Sequence, residues 1–134
     1  ADGVHLGQDD LNIKAAREYL GADKIIGVSA HNVKEALEAE NGGADYLGSG
    51  AAFVTSTKTD AGAIDHKVLS DVAHSVKIPV VAIGGINKDN ISQLEGLGLD
   101  GVAVVSAIFA ADDISSAVID LKAKAEKVAE SSIK

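Results

Sequence analysis

The sequence predicts an α/β fold in which a parallel sheet is assembled from repeated β/α units. Three observations predict it. Short apolar runs alternate strictly with stretches of helical periodicity along the chain. The runs Pro79-Val80-Val81-Ala82-Ile83 and Val102-Ala103-Val104-Val105 do not alternate polar with apolar, so each reads as a strand covered on both faces, as in a parallel sheet. The polar segments that could carry chemistry all follow strands, and right-handed crossovers bring such segments to one edge of a sheet.

The elements follow in order. Asp2-Gly3-Val4-His5-Leu6 reads as the first strand and residues 12–20 as its helix, which carries Ala15, Ala16, Tyr19 and Leu20. Lys24-Ile25-Ile26-Gly27-Val28 is the second strand, and residues 33–40 are the second helix. Asp45-Tyr46-Leu47-Gly48 is the third strand. A long loop leads from it to a helix over 65–75 that turns Val68, Leu69 and Val72 inward. The fourth strand ends in Gly84-Gly85-Ile86. Residues 87–97 read as the next helix, with Ile91, Leu94 and Leu97 at helical spacing and Gly96 and Gly98 near its end. The fifth strand ends in Ser106-Ala107-Ile108. A last helix over 114–129 places Val118, Leu121, Ala125 and Val128 on one face. Lys122, Lys124 and Lys127 fall in its later turns, where cations suit the helix dipole. Asp2, Asp45 and Asp100 each stand at the head of a strand and read as structural, capping turns at the floor of the sheet.

Composition bounds the function. The chain has 134 residues, enough for one domain with a real core, and 46% of them are hydrophobic, which excludes a disordered chain. The net charge of −8 argues against a nucleic-acid partner, which needs a basic face, and aromatic residues at 3% supply no base-stacking platform. There is no apolar run of membrane-spanning length and no signal-peptide pattern, so no membrane partner is expected. Cys is absent, which removes disulfide and thiol chemistry and permits a cytoplasmic location. An acidic protein still binds phosphate where backbone N–H groups, a Lys and a metal make a local cup.

Five segments compose the predicted edge: Gly7-Gln8-Asp9-Asp10, Ser29-Ala30-His31, residues 48–58, Gly84-Gly85-Ile86 and Ser106-Ala107. Gly84-Gly85 and Ser106-Ala107 suit a phosphate cup, because glycine lets the backbone approach a ligand; two tight turns without a ligand are the alternative. Asp9 and Asp10 read either as a pair in which one acid faces the site and could hold Mg²⁺, or as two helix-start acids. Ser29 and His31 could donate to a phosphate, and for His31 a helix cap or turn is the better reading. His5 reads as a satisfied barrel-lining residue, and His66 and His74 as solvent-facing. The loop after the third strand holds Thr55, Thr57, Thr59, Ser56 and Lys58, hydroxyls and a point charge that suit phosphate or pyrophosphate; a polar surface loop is the alternative.

Taken together, HLGQDD at 5–10, GVSAH at 27–31, ADYLGSG with TSTK at 44–58, PVVAIGGI at 79–86 and DGVAVVSAI at 100–108 resemble the thiamine-phosphate synthase family in order and spacing. The resemblance implies a TIM-type (β/α)8 barrel, represented here by about five β/α units. It implies a cytoplasmic transferase of thiamine biosynthesis. Such an enzyme joins hydroxymethylpyrimidine pyrophosphate to hydroxyethylthiazole phosphate with Mg²⁺, giving thiamine phosphate and pyrophosphate. By similarity, Asp10 is the Mg²⁺ ligand and Ser29 meets the pyrophosphate. Thr55 and Thr57 bind the thiazole phosphate, Lys58 lies on the pyrophosphate, and Gly85, Val105 and Ser106 form the phosphate cup. Lys58 and Ser29 are the residues implied in catalysis. The chain departs from the family where Ala51 and Val54 stand in place of Pro.

The sequence opens directly on a strand, and residues 1–134 read as a single domain, the C-terminal portion of such a barrel. A complete barrel needs about 250 residues. The chain alone is therefore expected to be nearly inactive, and to form a homo-oligomer or pair with the missing N-terminal part. A thiazole tautomerase-like barrel and a non-enzymatic, phosphate-binding partial barrel remain the alternatives.

Overall fold

The computed structural model describes residues 1–53 and 64–131. Among these, five parallel strands lie side by side in chain order: β1 (Gly3–Leu6), β2 (Ile25–Ala30), β3 (Tyr46–Ser49), β4 (Val80–Ile83) and β5 (Gly101–Ala103). Between them run α1 (Ile13–Leu20), α2 (Val33–Asn41), α3 (His66–Ser75) and a 3₁₀ turn (Ile91–Leu94). After β5 come α4 (Ser106–Phe109) and α5 (Ile114–Glu130). The β/α alternation read from the sequence is the architecture of the molecule.

Side-chain chemistry fixes the helix starts. Asn12, Asn32, Asp65 and Asp113 are N-caps whose side chains accept an amide N–H from the first turn, which satisfies donors that have no carbonyl inside the helix. The acids Asp45 and Asp100 are structural, as expected, but they cap strands rather than turns. Asp45 accepts the Ile26 N–H at 2.8 Å and Asp100 the Val80 N–H at 2.9 Å, each from the strand before its own.

Residues alternate along the strands, and one face is packed. Ile26, Ala30, Leu47, Val80 and Ala82 are fully buried, in one core with Leu69, Val72, Ile91, Leu94, Leu99 and Val128. The other face is open: Ile25 and Ile83, which lie on it, are 53% and 40% exposed. The expectation that the strands are covered on both faces therefore fails among the described residues. Apolar residues on the inner side of a barrel are covered only by strands from across the barrel. β1 and β5 form the two edges of the sheet.

Three further expectations are corrected. Residues 87–97 form only the 3₁₀ turn. Asn87 and Asn90 bond to backbone groups of their own segment, Asn87 Oδ1 accepting from Asp89 N and Asn90 Oδ1 from Asn87 N, which competes with a helical ladder. β5 stops at Ala103, and Ser106 and Ala107 begin a short helix. Val118 of α5 is exposed, while Leu121 and Val128 are buried.

Candidate active site

All the C-terminal strand ends lie on one edge, where Gly7-Gln8-Asp9-Asp10 follows β1 and Gly84-Gly85 follows β4. Asp10 is exposed and closes the first turn: its Oδ2 accepts the Gly7 N–H at 2.7 Å, and its own N–H reaches Gly7 O at 3.2 Å. It caps this turn and not α1, whose cap is Asn12.

Ser29 lies inside β2, one residue before its end, rather than after the strand as the sequence suggests. It sits on the open face, and Gln8 Nε2 donates to its carbonyl at 2.6 Å. Its Oγ lies 2.9 Å from His5 Nε2, and His5 Nδ1 lies 2.9 Å from the Tyr46 hydroxyl. The register explains this meeting, since His5, Gly27 and Tyr46 stand in one row across three strands and Ser29 pairs with Gly48. His5 is a satisfied lining residue, as expected. Sequence reasoning misses Tyr46, though its pairing with His5 across a row of glycine is the available signal.

His31 is a turn residue. Its ring Nδ1 and its N–H both reach Glu35 Oε1, at 2.8 and 2.9 Å, while Asn32 caps Glu35 N. Burial pushes the Glu35 carboxyl up, but the two His31 hydrogen bonds and the charges of His31 and Lys34 outweigh it and hold it below the usual carboxylate range. His66 is half-buried rather than solvent-facing, with its ring edge-on to Phe53 at 5.1 Å and its Nε2 donating to Ala52 O at 3.2 Å.

Gly84 and Gly85 have φ of 100° and 67°, in the region that favours glycine. The pair seats the loop after β3: Phe53 N donates to Gly84 O at 3.0 Å, and a Cβ on Gly85 would fall 2.6 Å from Phe53 O. The tight-turn reading thus has a physical cause of its own, which does not compete with phosphate binding. Val105 and Ser106 stand at the start of α4, which has no side-chain cap among the described residues. Val105 is 67% exposed.

Among the described residues the edge carries a cleft at each of its opposite flanks. One, of about 410 Å³, is lined by Gly7, Gln8, Asp10, Glu35 and Glu38, among others. The other, of about 610 Å³, is lined by Asn87, Lys88, Ser106 and Asp113, among others. Asp10 and Ser106 therefore share an edge but not a cleft. Thr55, Thr57 and Lys58 lie outside the described residues. Among the described residues no group of three His, Asp or Glu side chains converges on one point, and no helix is long and apolar enough to cross a membrane.

Parallel strands in chain order, linked by helices and presenting their polar turns on one edge, make this a protein of the β/α-barrel class. The family model described as thiamine monophosphate synthase matches residues 1–108, and the chain belongs to that family. It is 56% identical over 114 residues to the thiamine-phosphate synthase of Clostridium acetobutylicum, covering 85% of this chain and 54% of that protein. With the thiamine-phosphate synthase of Clostridium beijerinckii it shares 51% over 122 residues, covering 91% and 58%. The chain thus spans little more than half the length of these relatives. The solved thiamine phosphate pyrophosphorylase of Pyrococcus furiosus superposes with a TM-score of 0.86 at 48% identity, over 96% of this chain and 61% of that one. A 3-hexulose-6-phosphate synthase, at 21% identity and a TM-score of 0.70 over 92% of this chain and 62% of that one, shares the fold.

Proposed function

We propose that this chain is the phosphate-handling part of a thiamine-phosphate synthase. That enzyme couples hydroxymethylpyrimidine pyrophosphate with hydroxyethylthiazole phosphate to give thiamine phosphate and pyrophosphate. The observation that carries this reading is the 48% identity and 0.86 TM-score to a thiamine phosphate pyrophosphorylase, and the family match over residues 1–108 includes Asp10, Ser29, Gly85 and Ser106. The reading includes a cytoplasmic location, which a chain without Cys permits. The reading includes a homo-oligomer, or pairing with an N-terminal barrel part.

The reaction needs no protein nucleophile. The carbon–oxygen bond to pyrophosphate breaks, the thiazole nitrogen attacks the pyrimidine-methyl carbon, and negative charge grows on the leaving pyrophosphate. Ser29 donates to that pyrophosphate and Lys58 neutralises it, so both contacts strengthen as the charge develops. Thr55 and Thr57 hold the thiazole phosphate, while Gly85, Val105 and Ser106 cup phosphate with backbone amides.

Mg²⁺ fits Asp10, an exposed carboxylate held by one backbone amide, because the ion takes one or two carboxylates and fills its other positions with waters and phosphate oxygens. When bound it supplies charge neutralisation at the pyrophosphate.

Calorimetry with each substrate, with and without Mg²⁺, tests the reading. The pyrimidine pyrophosphate is expected to bind in a Mg²⁺-dependent way, and Ser29→Ala and Asp10→Asn to weaken it. No binding of either substrate at millimolar concentration would remove the assignment. Turnover of a thiazole carboxylate phosphate would replace it with the tautomerase.

A further inference from the structure

The hydrogen-bonded chain Tyr46–His5–Ser29 crosses three strands on the open face of the sheet. Its geometry is built in. The His5 and Tyr46 rings lie 5.5 Å apart, and two glycines make room for them. A Cβ on Gly27 would fall 2.1 Å from Tyr46 Cζ, and one on Gly48 would fall 3.2 Å from His5 Cε1. Gln8 pins the Ser29 backbone from β1's side at 2.6 Å.

Neutral imidazole has one N–H donor and one acceptor nitrogen, and here both face hydroxyls. Two proton arrangements satisfy the distances. In one, Tyr46 donates to Nδ1, and Nε2–H donates to Ser29 Oγ. In the other, Ser29 donates to Nε2, and Nδ1–H donates to Tyr46. A phenol, with a pKa near 10, is a better donor than an aliphatic alcohol, so the acceptor nitrogen falls to Tyr46. Ser29 then accepts from His5 and keeps its own hydrogen.

We propose that His5 and Tyr46 are positioning residues that fix Ser29 Oγ as an acceptor on one side, leaving its O–H to donate into the open face toward an anionic phosphate oxygen. The proposal rests on the reading that Ser29 meets the pyrophosphate. Nothing in it requires His5 or Tyr46 to touch the substrate.

The tautomer is measurable without turnover. Two-bond ¹H–¹⁵N correlation on histidine-labelled protein at pH above 8, with His5 assigned by its loss in His5→Leu, is expected to show the Nε2–H form. Tyr46→Phe keeps the ring, removes the donor, and is expected to shift His5 toward a mixture of tautomers. Affinity for inorganic pyrophosphate with Mg²⁺ is expected to fall about fivefold in Tyr46→Phe, the size of one neutral hydrogen bond. His5→Gln, whose amide keeps a donor toward Ser29, is expected to retain more affinity than His5→Leu. An Nδ1–H tautomer in the unmodified protein, or an unchanged pattern in Tyr46→Phe, overturns the relay and leaves the synthase reading untouched. If Ser29→Ala leaves pyrophosphate affinity unchanged while both substrates still bind, Ser29 is not the donor and the relay has no role.

Discussion

Arg17 of α1 and Asp45 at the head of β3 meet at 2.8 Å, and the same guanidinium also donates to the carbonyls of Lys24 and Gly43 at 2.6 Å and of Gly21 at 3.2 Å. One side chain thus ties the exit of α1, the approach to β2 and the turn before β3. Asp45 completes the joint by accepting the Ile26 N–H. This fastening lies at the end of the sheet away from the candidate site. Arg17→Ala is expected to cost about 2 kcal/mol, the scale of hydrogen bonds to a charged group, seen as a lowered urea midpoint. Arg17→Lys should recover little, since an ammonium cannot reproduce the planar fork. Equal midpoints for Arg17→Ala and the unmodified chain would remove the fastening role.

Acid should loosen the same joint. The Arg17 side chain, then the Ile26 N–H, hold the Asp45 carboxyl below the usual carboxylate range against a smaller opposing effect of burial. A folded value below the unfolded one means that the stabilisation is complete above the unfolded value of about 4 and is lost as pH falls through the folded value. Glu35 acts in the same direction. Urea midpoints should therefore drop below pH about 4, and Asp45→Asn should flatten that drop.

Two glycines with similar φ separate strain from crowding. Gly96 has φ of 80°, and a Cβ added there would meet nothing within 4 Å, whereas one added at Gly85 would meet the Phe53 carbonyl. Gly96→Ala should cost about 1 kcal/mol, the left-handed penalty alone. Gly85→Ala should cost more and should also weaken phosphate binding, because the loop after β3 must move. Equal losses in thermal melts would mean that the Phe53 contact is soft.

Lys58 is the residue proposed to act on the leaving group. In a complete barrel carrying this segment, Lys58→Ala is expected to lower kcat by more than it raises KM, since the contact strengthens in the transition state. An unchanged kcat takes Lys58 out of the mechanism.

The isolated 134-residue chain is expected to release pyrophosphate far more slowly than a complete barrel and to self-associate. Two strand edges and exposed Ile25, Phe109 and Ile119 give it surface to bury. Sedimentation should show species above monomer that grow with concentration. A clean monomer with a cooperative melt would contradict this, as would pyrophosphate release at the rate of a complete barrel.

The sequence alone determined the strands, their parallel order and the edge on which the polar turns gather. These features follow from apolar runs, caps and the handedness of crossovers, all of which are local or nearly so. It also carried the family, because motifs such as HLGQDD and PVVAIGGI keep their order and spacing. It overstated the helix over 87–97, where Asn87 and Asn90 commit their side chains to local backbone groups, an outcome set by geometry rather than by periodicity. Only the tertiary structure decided that His5 reaches both Ser29 and Tyr46, that Arg17 finds Asp45 28 positions away, and that His66 turns in against Phe53. The His5 pairings depend on strand register and on the missing Cβ atoms of Gly27 and Gly48, and the other two depend on how α1 and α3 pack beside the sheet, so none takes effect until the elements are laid side by side.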